Sequence, residues 1–115
     1  MKTVIFHNAK CQKSRKGLQY LKDKKIEPEI IEYLKDKPFT DKSLKEIIKK
    51  LGLKPFEIVR IQEADFKQKY KGKNLSDDQW IKVLIENPKL IRRPIIVKGD
   101  KAVLGDIVEH IDTLL

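Results

Sequence analysis

Val4-Ile5-Phe6 is a continuous run of apolar, β-favouring residues near the start of the chain. A run without alternation predicts a short strand buried on both faces, the usual state in a parallel sheet. The polar stretch from Asn8 to Ser14 predicts a loop. A helix is expected from about Ser14 to Lys25, with Leu18 and Leu21 facing inward. Lys22, Lys24 and Lys25 crowd its end, where the helix dipole favours cations. After Pro28, Glu29-Ile30-Ile31-Glu32-Tyr33-Leu34 predicts a second strand. Strand, helix and strand make a βαβ unit, whose crossover is expected to be right-handed.

The middle of the chain changes period. Leu44, Ile47, Ile48 and Leu51 fall at i, i+3, i+4 and i+7, an amphipathic helical stripe, and Gly52 is placed to stop it. Phe56, Ile58, Val59 and Ile61 suggest a short, less regular helix. Ala64 to Tyr70 fits no single period, and Lys71-Gly72-Lys73-Asn74 predicts a loop. Ser76 with Gln79 forms a capping-box pattern ahead of a helix with Trp80, Val83 and Leu84 inward. Asn87-Pro88 ends it. Pro94-Ile95-Ile96-Val97 predicts a third strand, Lys98-Gly99-Asp100-Lys101 a tight hairpin turn, and Ala102-Val103-Leu104 its return. A closing helix is expected with Asp106 and Glu109 as its cap and Ile107, Val108, Ile111, Leu114 and Leu115 along one face. The order is β-α-β, a helical block, then β-β-α. Two such halves sharing one sheet make the thioredoxin plan, an α/β fold. The expected organisation is one domain over 1–115, with a helical insertion between the halves at about 38–90.

Composition narrows the function. No apolar run is long enough to cross a bilayer, and the apolar part of the N-terminal stretch is too short for a signal peptide. A cytoplasmic location is the expectation. The net charge is +9, from 26 Lys and Arg against 17 Asp and Glu. Such a balance suits nucleic acid, an acidic protein or a small oxyanion. No aromatic residues interleave with the lysines as a base-stacking platform would need, so a solvated surface is the simpler account. The single cysteine excludes an intramolecular disulfide and a cysteine-built zinc site. The two histidines, His7 and His110, are far apart, so neither a metal nor a bound cofactor is expected.

Cys11 follows the first strand, just before the expected helix. Backbone N–H groups and the dipole converge at such a helix start and stabilise a thiolate, lowering its pKa below about 8.5. Ser14 could donate a hydroxyl hydrogen bond to the sulfur, and His7, Lys10, Lys13 and Arg15 add positive or polarisable groups nearby. The alternative, a buried structural cysteine, fits poorly with the polar neighbours Lys10, Gln12 and Lys13.

The stretch His7-Asn8-Ala9-Lys10-Cys11-Gln12-Lys13-Ser14-Arg15 resembles the His-Asn-x-x-Cys-x-x-Ser-Arg signature of the glutaredoxin-coupled, ArsC-type arsenate reductases. The resemblance continues through Phe56-Glu57-Ile58-Val59-Arg60 and Asn87-Pro88-Lys89-Leu90-Ile91-Arg92-Arg93-Pro94-Ile95, and covers essentially the whole chain. It implies a nucleophilic role for Cys11, with His7, Ser14 and Arg15 beside it in the catalytic group. It likewise implies substrate contacts from Asn8, Arg60, Arg93 and Pro94, the last as the cis-proline that thioredoxin-like folds place beside the active cysteine. Alone, Arg60 would be a solvated helix residue and His7 an ordinary strand-end histidine; their joint placement sets them apart. The arsenate reductases carry a third arginine after the second hairpin strand. Here Ala102-Val103-Leu104-Gly105-Asp106 has none, and Gly105 occupies the place; this ending resembles more the family's other branches, the Spx-type transcriptional regulators and uncharacterised reductase-like relatives. Losing one of three charged donors weakens oxyanion binding by roughly a few kcal/mol.

Two functions follow as expectations. The first is an arsenate-reductase-like thiol oxidoreductase that forms a covalent adduct at Cys11. An external thiol, glutathione with glutaredoxin or an equivalent, would resolve it. A monothiol glutaredoxin-like reductase of another oxidant is its variant. The second is an Spx-like regulator binding an RNA polymerase subunit through the basic surface. Ser14, standing where such regulators have a second cysteine, argues against a redox switch. The chain is expected to be monomeric, since no helix is apolar all round.

Overall fold

A computed structural model describes residues 2–115. The described chain forms two compact units, one from 2–38 and Arg93–Leu115, the other Phe39–Arg92. In the first, β1 (Thr3–His7) leads into α1 (Gln12–Asp23), then β2 (Glu29–Glu32) and a single helical turn, α2 (Tyr33–Asp36). The chain returns to this unit for β3 (Ile95–Lys98), β4 (Lys101–Leu104) and a 3₁₀ helix, Val108–Leu114. The sheet order is β2-β1-β3-β4. β1 runs parallel to β2, with Ile5 opposite Ile30, and antiparallel to β3, with Ile5 opposite Ile96. β3 and β4 form a hairpin closed by Gly99 and Asp100, with Gly99 at φ 60°. This is the thioredoxin-like α/β plan. β1 lies between two partners, which is why its apolar run is unbroken: Ile5 is fully buried and Phe6 nearly so. Ile5, Leu21, Ile96, Ile111 and Leu114 form the core of this unit.

Three expected boundaries shift. α1 begins at Gln12 rather than Ser14, because the Cys11 carbonyl already accepts the Arg15 N–H at 3.0 Å. Ser14 therefore sits inside the first turn, fully buried, instead of starting the helix. The second strand stops at Glu32, and Tyr33 turns inward as the first residue of α2, 1% exposed. The closing helix is a 3₁₀ helix with Ile107 as its N-cap and no side-chain cap from Asp106. Val108, Ile111 and Leu114 recur every third residue, the spacing that lines up on one side of a three-residue turn. Ile107 and Leu115 fall off that line and are exposed.

The second unit occupies the stretch in which the sequence places an insertion. It holds α3 (Asp41–Leu51), a 3₁₀ turn at Pro55–Ile58, α4 (Ala64–Lys69), α5 (Asp77–Glu86) and a second 3₁₀ turn at Pro88–Leu90. Reciprocal capping boxes start α3, through Thr40 and Ser43, and α5, through Ser76 and Gln79. Gly52 ends α3 at φ 70°. The stretch left without a period, Ala64 to Tyr70, contains α4. On α5 the buried residues are Trp80, Ile81 and Leu84, with Val83 half-buried. Trp80 packs against Phe56 at 5.0 Å and Phe66 at 6.2 Å between ring centroids.

Candidate active site

The site is built where β1 hands over to α1. Chain direction and the β-to-α switch put Cys11 at the N-cap, its backbone extended at φ −96° and ψ 124°. A compact loop leads to it. The Cys11 N–H donates to the Asn8 carbonyl at 3.0 Å, and the Lys10 N–H donates to Asn8 Oδ1 at 3.1 Å. The Asn8 N–H donates to Ser14 Oγ at 3.0 Å, and Ser14 Oγ shares a 2.6 Å hydrogen bond with His7 Nδ1. The Ser14 hydroxyl thus ties the end of β1, the loop and the first turn of α1 together.

The sulfur is half-buried and free. Burial pushes its thiol pKa up, but hydrogen bonds from the Ser14 N–H, the Arg93 side chain and the Lys13 N–H, with the Arg93 charge, outweigh it. The net result lies below the ordinary thiol value. The sequence offered the Ser14 hydroxyl as the sulfur's donor; the backbone N–H of Ser14 makes that contact, while its hydroxyl serves His7 and Asn8.

Arg93 immediately precedes β3 and joins Pro94 through a cis peptide bond. Its side chain is buried, and Nη1 donates to the Tyr33 hydroxyl at 3.2 Å. His7 is 5% exposed. Burial holds its pKa below the ordinary 6.5, opposed by the Glu32 carboxylate and aided by the charges of Lys22 and Arg15. Arg15 itself is exposed.

Glycines crowd Pro94 from two sides. A Cβ on Gly17 would meet Pro94 Cγ at 2.7 Å, and one on Gly105 would meet Ile96 Cδ1 at 2.9 Å and Pro94 Cγ at 3.0 Å. The Gly105 N–H donates to the Pro94 carbonyl at 2.8 Å. The position that lacks an arginine is thus one where no side chain fits without displacing its neighbours.

His7, Asn8, Cys11, Ser14, Arg93 and Pro94 all belong to the first unit, with the contacts just given. Arg60 belongs to the second, where its guanidinium pairs with Glu63 at 2.7 Å and its N–H donates to the Leu90 carbonyl at 2.7 Å. Tyr33 is the residue that sequence reasoning missed as part of the site; there it reads as one more residue of a strand. Among the described residues, no group of three His, Cys, Asp or Glu side chains is placed to hold a metal ion, and no helix is long and apolar enough to cross a membrane.

Comparison with known proteins agrees with this geometry. The model of the ArsC family matches residues 6–114. An arsenate reductase of Neisseria meningitidis is 34% identical over 113 residues, 96% of each chain. One of Haemophilus influenzae is 38% identical over 110 residues, 91% of each chain. The solved structure of an arsenate reductase from Vibrio cholerae superposes with a TM-score of 0.92 at 38% identity, covering 100% of this chain and 98% of that one. With the thioredoxin-like sheet, the cysteine at the helix start and a family match over nearly its whole length, this chain belongs to the ArsC family and is an oxidoreductase of the ArsC type.

Proposed function

We propose that this protein reduces an oxidised acceptor through a covalent intermediate on Cys11, with an external thiol as reductant. The observation that carries the reading is the electrostatics of one sulfur atom. Two backbone N–H groups and the Arg93 guanidinium converge on it, and together they hold the thiol below its ordinary pKa. A thiolate is the nucleophilic form, and an arginine beside it presents donors to an incoming oxyanion.

For arsenate the steps balance as follows. The Cys11 sulfur bonds to arsenic and a water leaves. An external thiol then attacks the sulfur, the S–As bond breaks, and its electron pair stays with arsenic, giving arsenite and a Cys11 mixed disulfide. A second thiol attacks that disulfide, restores Cys11 and leaves as the symmetrical disulfide. Arsenic gains two electrons and two external thiols are oxidised. Glutathione, with a glutaredoxin to clear the mixed disulfide, is the reductant we assign, and the reducing cytoplasm is its setting. Arsenate is the acceptor the relatives' names suggest.

The experiment is turnover of arsenate with glutathione, glutaredoxin and an NADPH-linked recycling system, for the protein and for Cys11→Ser. Arsenite formation that vanishes in Cys11→Ser supports the reading. Trapping of a glutathione–Cys11 mixed disulfide by mass spectrometry with no arsenite formed would move the acceptor from arsenate to a disulfide. Neither product from a folded protein would overturn the reductase reading.

A further inference from the structure

Arg93 cannot act on Cys11 unless its guanidinium is held in place. An arginine side chain carries about 2 kcal/mol of rotamer entropy and can aim its five donors many ways. In this fold it is buried, and Nη1 donates to the hydroxyl of Tyr33 at 3.2 Å. Tyr33 is 1% exposed and opens α2 directly after β2. Its backbone is tied to the site's own strand, since Glu32, the residue before it, pairs with His7. The three side chains Tyr33, Arg93 and Cys11 therefore come from three places in the first unit: the end of β2, the approach to β3 and the start of α1.

We propose that Tyr33 is a positioning residue of the active site, whose hydroxyl fixes the Arg93 guanidinium against the Cys11 sulfur. It touches neither the sulfur nor the acceptor in this role and acts only through Arg93. The proposal rests on the reading of Cys11 as the reactive thiolate and extends it to the device that keeps the thiolate's side-chain donor in register. A buried tyrosine hydroxyl needs some hydrogen-bond partner; what singles this one out is that its partner is the buried guanidinium that also acts on the Cys11 sulfur.

The test reads the thiolate itself and needs no substrate. The pKa of Cys11 is measured from the pH dependence of thiolate absorbance and of alkylation in the full-length protein and in Tyr33→Phe, Arg93→Gln and the double variant. Tyr33→Phe keeps the ring and removes the oxygen. It should lower the thiolate fraction about threefold to tenfold on the acid side of the titration. Arg93→Gln should lower it at least as far. In the double variant the loss should equal that of Arg93→Gln alone, because Tyr33 has nothing left to position. Site-specific difluorotyrosine at position 33 keeps the hydroxyl and weakens it as an acceptor. It should shift the titration the same way by less, which covers the case of a Tyr33→Phe protein that does not fold. An unchanged thiol titration with Tyr33 altered overturns the proposal, as do additive effects in the double variant. An unchanged titration in Arg93→Gln overturns the proposal together with the Arg93 part of the reductase reading. Loss of turnover with every titration shift intact strikes the reading of the acceptor and leaves the positioning role standing.

Discussion

His7 is 5% exposed, and its ring shares a 2.6 Å hydrogen bond with the fully buried Ser14. Burial is the main cause that holds its pKa below the ordinary 6.5. The sign of the consequence follows from linkage. Below about 6.5 the unfolded chain takes up a proton at this residue while the folded one resists it, so protons favour unfolding. The stability that neutral His7 provides is complete above about 6.5 and is lost as pH falls toward the folded pKa. Denaturant midpoints taken between about pH 7.5 and pH 5 should fall for the protein, and fall less for His7→Gln, which cannot titrate there. Parallel curves for the two would show that His7 is not the group responsible. Much of this neighbourhood was legible in the sequence because it is local: His7, Asn8, Cys11 and Ser14 lie within one loop and its flanks. The Tyr33–Arg93 contact spans 60 positions. No short-range pattern marks it, and a tyrosine at a strand end looks the same whether it packs or positions.

At the scale of elements, α1 is set against the start of β3 by the absence of a side chain. Gly17 faces Pro94, and a Cβ there would come within 2.7 Å of Pro94 Cγ and 3.3 Å of the Gly105 carbonyl. Helix propensity alone says that Gly17→Ala should stabilise the protein by about 1 kcal/mol. The close approach says the reverse, because overpacking a tight site costs about 1–3 kcal/mol and proline is a poor atom group to displace. The net expectation is a destabilised protein, read as a lower denaturant midpoint with an unchanged slope. A stabilised Gly17→Ala would mean that α1 slides on the sheet more easily than this packing implies. Elements with a sustained period were readable in advance: the α3 stripe, both halves of the hairpin and the apolar run of β1. Those decided by local competition were not. Nothing in Gln12-Lys13 advertises a helix start, because the Cys11 carbonyl rather than a Ser or Asp side chain opens the first turn. The closing segment carried apolar residues enough for an α-helix, but its three-residue spacing favoured a 3₁₀ helix instead.

The whole molecule adds a field to the local site. Its 26 cationic side chains against 17 anionic ones give +9, with lysine supplying most of the positive charge. A charge of this size raises the local concentration of anions by an amount that depends on ionic strength, since the screening length shrinks from about 30 Å at 0.01 M salt to about 3 Å at 1 M. Arg93 contributes a second, short-range attraction that salt screens far less, because it is buried and its guanidinium helps hold the Cys11 thiol below its ordinary pKa. The two contributions separate in one measurement. Iodoacetate and iodoacetamide attack the same sulfur and differ mainly in charge, so the ratio of their rates cancels the thiolate fraction and reports the electrostatics alone. At low salt the ratio should exceed that of a free cysteine by about tenfold, and it should decline as salt is added. The part that survives at about 1 M salt belongs to Arg93 and should be absent in Arg93→Gln. A ratio flat in salt but reduced by Arg93→Gln would assign the whole preference for anions to the active site and leave the lysines as a solvating surface. A ratio that falls with salt in both proteins alike would assign it to the surface, and anionic acceptors and thiols would then be drawn to this protein before they meet its cysteine.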